Sequence, residues 1–294
     1  MNSLLTAVRG HLEAGGALEG TSVDRITVGK RVVLVELTAD DASEPTLAGL
    51  AHRPRGVPPS PTPRTLEDLL EPLAASAGAS ADDELDPIAG SRSASSDGAE
   101  RFDRALAVAT LNALSVPFLE WRDGDPMALL EPSVETIATV GLFRPAFRKF
   151  DDVDVRVIER TPIDSVSTPP GVRVSTFGPD EAERAMTDAD VVFVTGSAFV
   201  YGGASRYVDL APSSATVVVV GATASFLPDP LFEAGVDVVA GATIDDPASV
   251  REAVRDGECG TGLHDRGVRK VYVAADRPSG LRLDSETNPT TDER

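Results

Sequence analysis
The carboxyl-terminal half of this chain strings together apolar runs that each end in a turn of small residues. No other feature limits the fold as tightly. Four runs are Thr136-Ile-Ala-Thr-Val-Gly141-Leu-Phe-Arg-Pro145, Val153-Asp-Val-Arg-Val-Ile-Glu159, Asp190-Val-Val-Phe-Val-Thr-Gly196-Ser197 and Ala215-Thr-Val-Val-Val-Val-Gly221-Ala-Thr223. Two shorter ones follow, Val236-Asp-Val-Val-Ala240 and Val268-Arg-Lys-Val-Tyr-Val-Ala274. They are rich in Val and Ile and lack polar alternation, which suits strands buried on both faces of a parallel sheet covered by helices. Ligands of such open sheets bind beyond the carboxyl ends of the strands. The run ends are therefore the first candidates for chemistry.

With 294 residues, 41% of them hydrophobic, the chain can build two domains with cores of their own. No apolar stretch approaches the roughly 18 residues of a membrane helix. The first residues lack the charged start and long apolar centre of a secretory signal, and the single Cys259 excludes an intrachain disulfide. These features predict a cytoplasmic protein. The net charge is −20, and of 27 basic residues only Lys30, Lys149 and Lys270 are lysines. That composition predicts adaptation to high salt, where repulsion is screened over about 3 Å at 1 M and a charged surface keeps the protein in solution. It also argues against nucleic acid as a partner, because no basic stripe is present to neutralise phosphates.

Residues 1–20 carry Leu4, Leu5, Val8, Leu12 and Leu18 near helical spacing, broken by Gly15-Gly16. Ser22–Val28, Arg31–Leu37 and Leu47–Ala51 read as strands of an antiparallel meander, with Gly29-Lys30 as one turn. Val57-Pro-Pro-Ser-Pro-Thr-Pro63 is a loop, since Pro lacks the amide donor. Thr65 is placed to cap a helix over 66–76, and 77–98 reads as a mobile loop rich in Ala, Ser, Gly and Asp. A helix over 99–115 has the core stripe Phe102, Leu106, Ala109, Ala113 and Val116, and Pro117 ends it. Residues 118–133 form a linker. Helices are expected over Asp180–Met186, near 202–211, over Pro230–Glu233 and over Asp246–Arg255. The last has Asp246 as its cap, Pro247 in its first turn and Gly257 past its end. The expected organisation is a first domain over 1–125 (loop-rich at 57–98), a second over 130–278, and a polar, disordered tail over 279–294.

Gly141-Leu142-Phe143 follows the first strand of the second domain, where main-chain amides can approach a phosphate or other polar group. It is not the dinucleotide fingerprint, because the second and third glycines are missing. Glu159 ends the next strand 18 residues later, near the spacing at which an acidic residue receives ribose hydroxyls in nucleotide-binding folds. Thr195-Gly196-Ser197 and Gly221-Ala222-Thr223 offer small hydroxyl-bearing turns that let a ligand come close. A nucleophilic Ser197 needs a base, and none of His11, His52 and His264 lies near it in sequence. Cys259 and His264 do not match a zinc spacing, so no metal ligands are assigned. Asn112 sits beside the apolar stripe of its helix, either contacting a ligand or joining the domains by a structural hydrogen bond.

Together these stretches resemble the DUF364 family, whose members carry a DUF4213 amino-terminal domain and are associated with heavy-metal chelation. The matching segments are Leu47–Ala51, Ala107–Leu114, Val140–Pro145, Val157–Glu159, Asp188–Ser197 and Gly221–Pro228 followed by Leu231-Phe232, spread over about residues 1–275. The resemblance implies an enolase amino-terminal-like α+β domain followed by a Rossmann-like, doubly wound, mainly parallel sheet, with a cleft between them. It also implies condensation or hydrolysis of small molecules related to flavins, pterins or siderophore-like chelators. The composition would make this a haloarchaeal-type member. After Ser197 many relatives continue with Thr and Asn, whereas this chain runs Ala198-Phe-Val-Tyr-Gly-Gly203.

The combined expectation is a small-molecule ligand, aromatic or nucleotide-like, in the interdomain cleft. Asn112, Gly141 to Phe143, Glu159, Thr195 to Ser197 and Gly221 to Thr223 would line it, with Glu159 as general base if there is turnover. A non-catalytic carrier or sensor of a metal–chelate and an S-adenosylmethionine-binding methyltransferase-like enzyme stand as alternatives. No cofactor is assigned, and the oligomeric state is left open.

Overall fold
The computed structural model describes residues 3–40, 45–54, 64–75, 94–163, 166–276 and 278–283. The Pro-rich segment 57–63, most of the expected 77–98 loop and the tail from 284 lie outside the described residues.

The chain opens with α1 (Leu4–Ala14), which buries Leu5, Val8 and Leu12 at three- and four-residue spacing and stops at Gly15. The Ser3 hydroxyl accepts the Thr6 amide at its start. An antiparallel sheet follows in the order β1 (Thr21–Val28), β2 (Val32–Ala39), β3 (Leu47–His52). α2 (Leu66–Ala75) begins where Thr65 and Asp68 exchange side-chain-to-amide hydrogen bonds.

α3 (Ala94–Ser115) starts five residues earlier than the stripe predicts. It also differs in kind from the amphipathic helix expected. Every residue from Ala105 to Ser115 is buried, because the helix is covered on all sides. Val116, expected to close the stripe, instead stands 47% exposed in a 3-10 turn at Pro117.

The second sheet has eight strands: β4 (Arg122–Asp123), β5 (Thr136–Val140), β6 (Asp154–Ile158), β7 (Arg173–Phe177), β8 (Val191–Thr195), β9 (Thr216–Val220), β10 (Val238–Ile244) and β11 (Val268–Ala274). Their order is β4-β11-β10-β9-β8-β5-β6-β7. β5 to β10 pair in parallel, and β11 and β4 add an antiparallel edge. The six parallel strands thus follow the 3-2-1-4-5-6 order of a Rossmann-like sheet. β7 was not expected. It is an edge strand with exposed Arg173, Ser175 and Thr176, so it lacks the signature of a strand buried on both faces. β4 likewise grows out of the expected linker.

Alternate residues of the strands feed two different cores. Val140, Val192, Val194, Val217 and Val219 face α3 and the short helices α4 (Ala182–Met186), α5 (Ser197–Tyr201), α6 (Ala204–Leu210) and α7 (Asp229–Glu233). Ile137, Val191, Phe193 and Val218 face the other way, onto Met127, Phe147, Phe150 and Leu281. Among the described residues no α-helix covers that face. Pro145 opens only the 3-10 turn Ala146–Lys149. Residues 279–283, part of the expected polar tail, return to the sheet: Leu281 is buried and bridges Leu130.

The two sheets are joined through α3 and α8 (Pro247–Asp256). A Cβ on Gly49 of β3 would lie 2.1 Å from the Ala109 carbonyl oxygen, so glycine is what lets β3 press against α3. On the opposite face of the first sheet, Leu34 and Leu50 pack on Val250, Ala253 and Val254 of α8. There Arg251 grips both oxygens of the fully buried Glu36, at 2.8 and 2.6 Å.

Candidate functional site
Strand order reverses between β5 and β8, which pair with each other and then with β6 and β9 on their outer sides. The connections leaving their carboxyl ends diverge, and the ligand crevice of an open sheet of this kind is expected where they part. Gly141, at φ +95°, begins one wall. A Cβ there would meet Thr195 Cγ2 at 3.0 Å, so the two strand ends touch. The Gly141 amide is bonded to the Ile158 carbonyl and is not free for a ligand. The amides of Leu142 and Phe143 have no hydrogen bond among the described residues, so they are the part of this turn that remains free. The other wall carries Thr195 and Ser197, whose hydroxyls lie 3.1 Å apart. Gly196 is fixed by its amide bond to Val220 and by backbone crowding, since a Cβ would meet the Ala224 nitrogen at 2.9 Å.

The Gly221–Thr223 turn is shaped from behind by the first sheet. The Asn112 amide donates to the carbonyls of Leu50, Ala222 and Thr223 at 2.7, 3.2 and 3.3 Å. At 1% exposure Asn112 joins β3 to this turn and does not line the open crevice. Ser115, also on α3, receives the Leu227 amide at 2.9 Å. Arg104 of the same helix donates to the Phe199 carbonyl at 2.6 Å. Gly221, at φ +119°, has open space where a side chain would stand.

Three residues that the sequence did not assign to the site, His52, Tyr201 and Arg160, stand at the mouth. His52 ends β3, and its amide donates to Thr223 Oγ1 at 3.0 Å. Its Nε2 lies 3.1 Å from Tyr201 Oη, in α5. Arg160 lays its guanidinium 3.7 Å from the centroid of the Tyr201 ring. Burial, then the charges of Arg160 and Arg31, hold the His52 imidazole below its ordinary value, so it is neutral at pH 7. Glu159 is half-buried, its amide is bonded to Phe177 and its Oε1 accepts the Arg160 amide at 3.0 Å. Burial raises the Tyr207 phenol above its usual value, with Arg206 and Arg160 opposing and Glu159 and Asp180 adding to the rise. His52 was set aside because it lies far from Ser197 in sequence. The structure brings it to the site but pairs it with Tyr201, while Ser197 Oγ meets only Thr195. The usable signal was its place, immediately after the buried run Leu47–Ala51.

A cavity of about 670 Å³ lies elsewhere, between α1, β1 and α2, with Arg9, Thr21, Ser22, Arg64 and Glu67 among its walls. Arg9 is paired with Glu13 and Arg64 with Asp103, so its cations are already engaged. Size alone does not make it the site. The strand-end crevice holds the convergent polar groups. Among the described residues no three of His, Cys, Asp and Glu come together as a metal cluster. His264 Nδ1 is 2.8 Å from the Val268 carbonyl, and Cys259 is the one thiol. Among the described residues no set of side chains is brought together to hold a resident metal. No described helix is long and apolar enough to cross a membrane.

A family model with the description "DUF364: Putative heavy-metal chelation" matches residues 125–274, half of the chain. The chain belongs to the DUF364 family. A DUF364 protein of unknown function from Pyrococcus horikoshii shares the fold with a TM-score of 0.69 at 17% identity, over 92% of this chain and 100% of that one. Another, from Desulfitobacterium hafniense, gives 0.59 at 17% identity, over 92% and 98%. No curated protein matches. At these identities the two structures speak for the DUF364 fold, and the chemistry must be argued from the crevice itself.

Proposed function
We propose that this DUF364 protein binds a small molecule in the crevice between the carboxyl ends of β5 and β8, and that its link to heavy metals runs through that molecule. The observation that carries the reading is the reversal of strand order at Gly141 and Thr195, where the unbonded amides of Leu142 and Phe143 follow one strand end and the Thr195 and Ser197 hydroxyls lie at the other. Glu159 receives a ligand hydroxyl or ring N–H, and it is the group placed to take a proton if the ligand is turned over. Thr195, Ser197 and the Gly221–Thr223 turn form the floor, with Asn112 holding that turn in place. The division at residues 125–130 makes this a cleft whose rear wall is the first domain, in a salt-adapted cytoplasmic protein.

Native mass spectrometry of protein purified in high salt tests the reading. A retained small molecule should be lost or weakened in Glu159→Gln and in Ser197→Ala. Its chemistry separates a chelator-like compound from a nucleoside, and turnover abolished by Glu159→Gln separates enzyme from carrier. A compound retained equally by wild type and both variants places binding elsewhere and overturns the assignment.

A further inference from the structure
Arginines gather at the mouth of the crevice in a chain whose net charge is −20, alongside Glu159 and Asp180. Arg160 and Arg31 both act on His52, and Arg160 and Arg206 both act on Tyr207. None of these three guanidinium groups has a carboxylate partner among the described residues. A strongly acidic surface repels anions, so a ligand with negative charge needs a local reversal of the potential where it enters.

We propose that His52, Tyr201 and Arg160 form an oxyanion-binding corner, and that the crevice ligand carries a phosphate or carboxylate held there. The inference rests on the switch-point reading and deepens it. Arg160 stacks one face of its guanidinium on Tyr201, which fixes the group while its N–H edge stays available. A planar guanidinium presents paired donors that match an oxyanion. With its proton on Nε2, His52 donates to Tyr201 Oη, and the phenolic proton is then free for the ligand. The Thr223 hydroxyl, bonded to the His52 amide, sets where the imidazole stands. Glu159 adds an acceptor on the adjacent residue, so the ligand bears an oxyanion together with a hydroxyl or N–H. Tyr201 lies in α5, directly after the Thr195–Ser197 turn, so the corner adjoins the strand end of β8.

With only three histidines, ring-proton NMR reads the corner directly. Inorganic phosphate and acetate are titrated separately into the full chain at constant potassium chloride, with His52→Gln used to assign the signal. A saturable shift of the His52 resonance is expected, with His11 and His264 unmoved. The probe that saturates first identifies the anion class. Arg160→Gln should weaken the response at least ten-fold and Tyr201→Phe at least three-fold, whereas Arg255→Gln on α8 should leave it unchanged. A silent His52 with both probes, equal movement of all three histidines, or an unaffected Arg160→Gln overturns the corner. If His52 stays silent while a compound is retained through Glu159, the crevice reading survives and only the corner fails. If His52 responds and no compound depends on Glu159, the reverse holds.

Discussion
Two places in this acidic chain gather cations and use them in opposite ways. At the β4–β11 edge, Lys149 and Lys270 share Asp125, and Arg269 holds Asp123 and Asp245. At the crevice mouth, Arg160, Arg31 and Arg206 surround His52 and Tyr207, with no carboxylate bonded to them among the described residues. The first set is spent on joining segments: the turn before β5, the turn after β5, and the edge strands. The second keeps its guanidinium groups without carboxylate partners among the described residues, beside Glu159 and Asp180, and it is here that the proposed corner would receive an anion. On the proposed reading, the position of uncompensated charge, more than its amount, separates structure from function here.

The sharpest way to break this contrast is at the cation whose carboxylate partner is, among the described pairs, the most deeply buried. Glu36 has no exposed side-chain surface and depends on Arg251. Arg251→Ala leaves a carboxylate buried without its partner and should cost about 3 to 5 kcal/mol in chemical unfolding. Replacing both residues by Met should recover most of that loss, because the pair's own desolvation is removed as well. A single-variant loss under about 1 kcal/mol would mean that pairing does not mark structural cations in this chain.

Asp125→Asn comes next. Its lysine partners keep 32% and 45% of their side-chain surface exposed, so solvent weakens both pairs, and the expected loss is roughly 1 kcal/mol. Burial works to raise the Asp125 carboxyl, but the hydrogen bonds and charges of Lys149 and Lys270 outweigh it and hold the group below its usual 3.8. A carboxyl depressed on folding adds stability above 3.8 that disappears as pH falls through the lowered value. The gap in urea midpoint between wild type and Asp125→Asn should therefore close in acid. A gap independent of pH would show that the lysines stabilise by packing rather than by charge.

The strands of the central sheet were legible because burial on both faces leaves a continuous Val-rich run, as in Val191–Thr195 and Thr216–Val220. The helix Pro247–Asp256 was legible because Asp246, Pro247 and Gly257 mark both its ends. β7 was not, since an edge strand half-open to water has no such run. α3 was read as amphipathic because its composition shows one stripe, whereas the contacts that bury its remaining faces come from both sheets and are far apart in sequence. The same distance hid the mouth. Gly141 and Thr195 follow strands and could be found locally, but His52, Arg160 and Tyr201 meet only after the first sheet docks. Nothing near any one of them in sequence announces the other two.

The smallest expected effects lie at that mouth, and they test whether it is one electrostatic unit. Arg160 is exposed, so Arg160→Gln should change stability by less than about 0.5 kcal/mol, in contrast to Arg251→Ala. Its mark should appear in pH dependence. Burial first, then Arg160 and Arg31, depress the His52 imidazole below 6.5. The unfolded chain therefore binds this proton first as pH falls through 6.5. The stability tied to neutral His52 is complete above that value and is lost toward the lowered one. Removing the Arg160 charge should lift the folded imidazole part of the way back and flatten this slope. Burial, the larger cause, remains, so the slope should not vanish. Guanidinium midpoints of wild type and Arg160→Gln across about pH 5 to 8 read the difference, with His52→Gln giving the slope that belongs to other groups. If wild type and Arg160→Gln fall in parallel, Arg160 does not act on His52, and the unpaired cations at the crevice are separate surface charges.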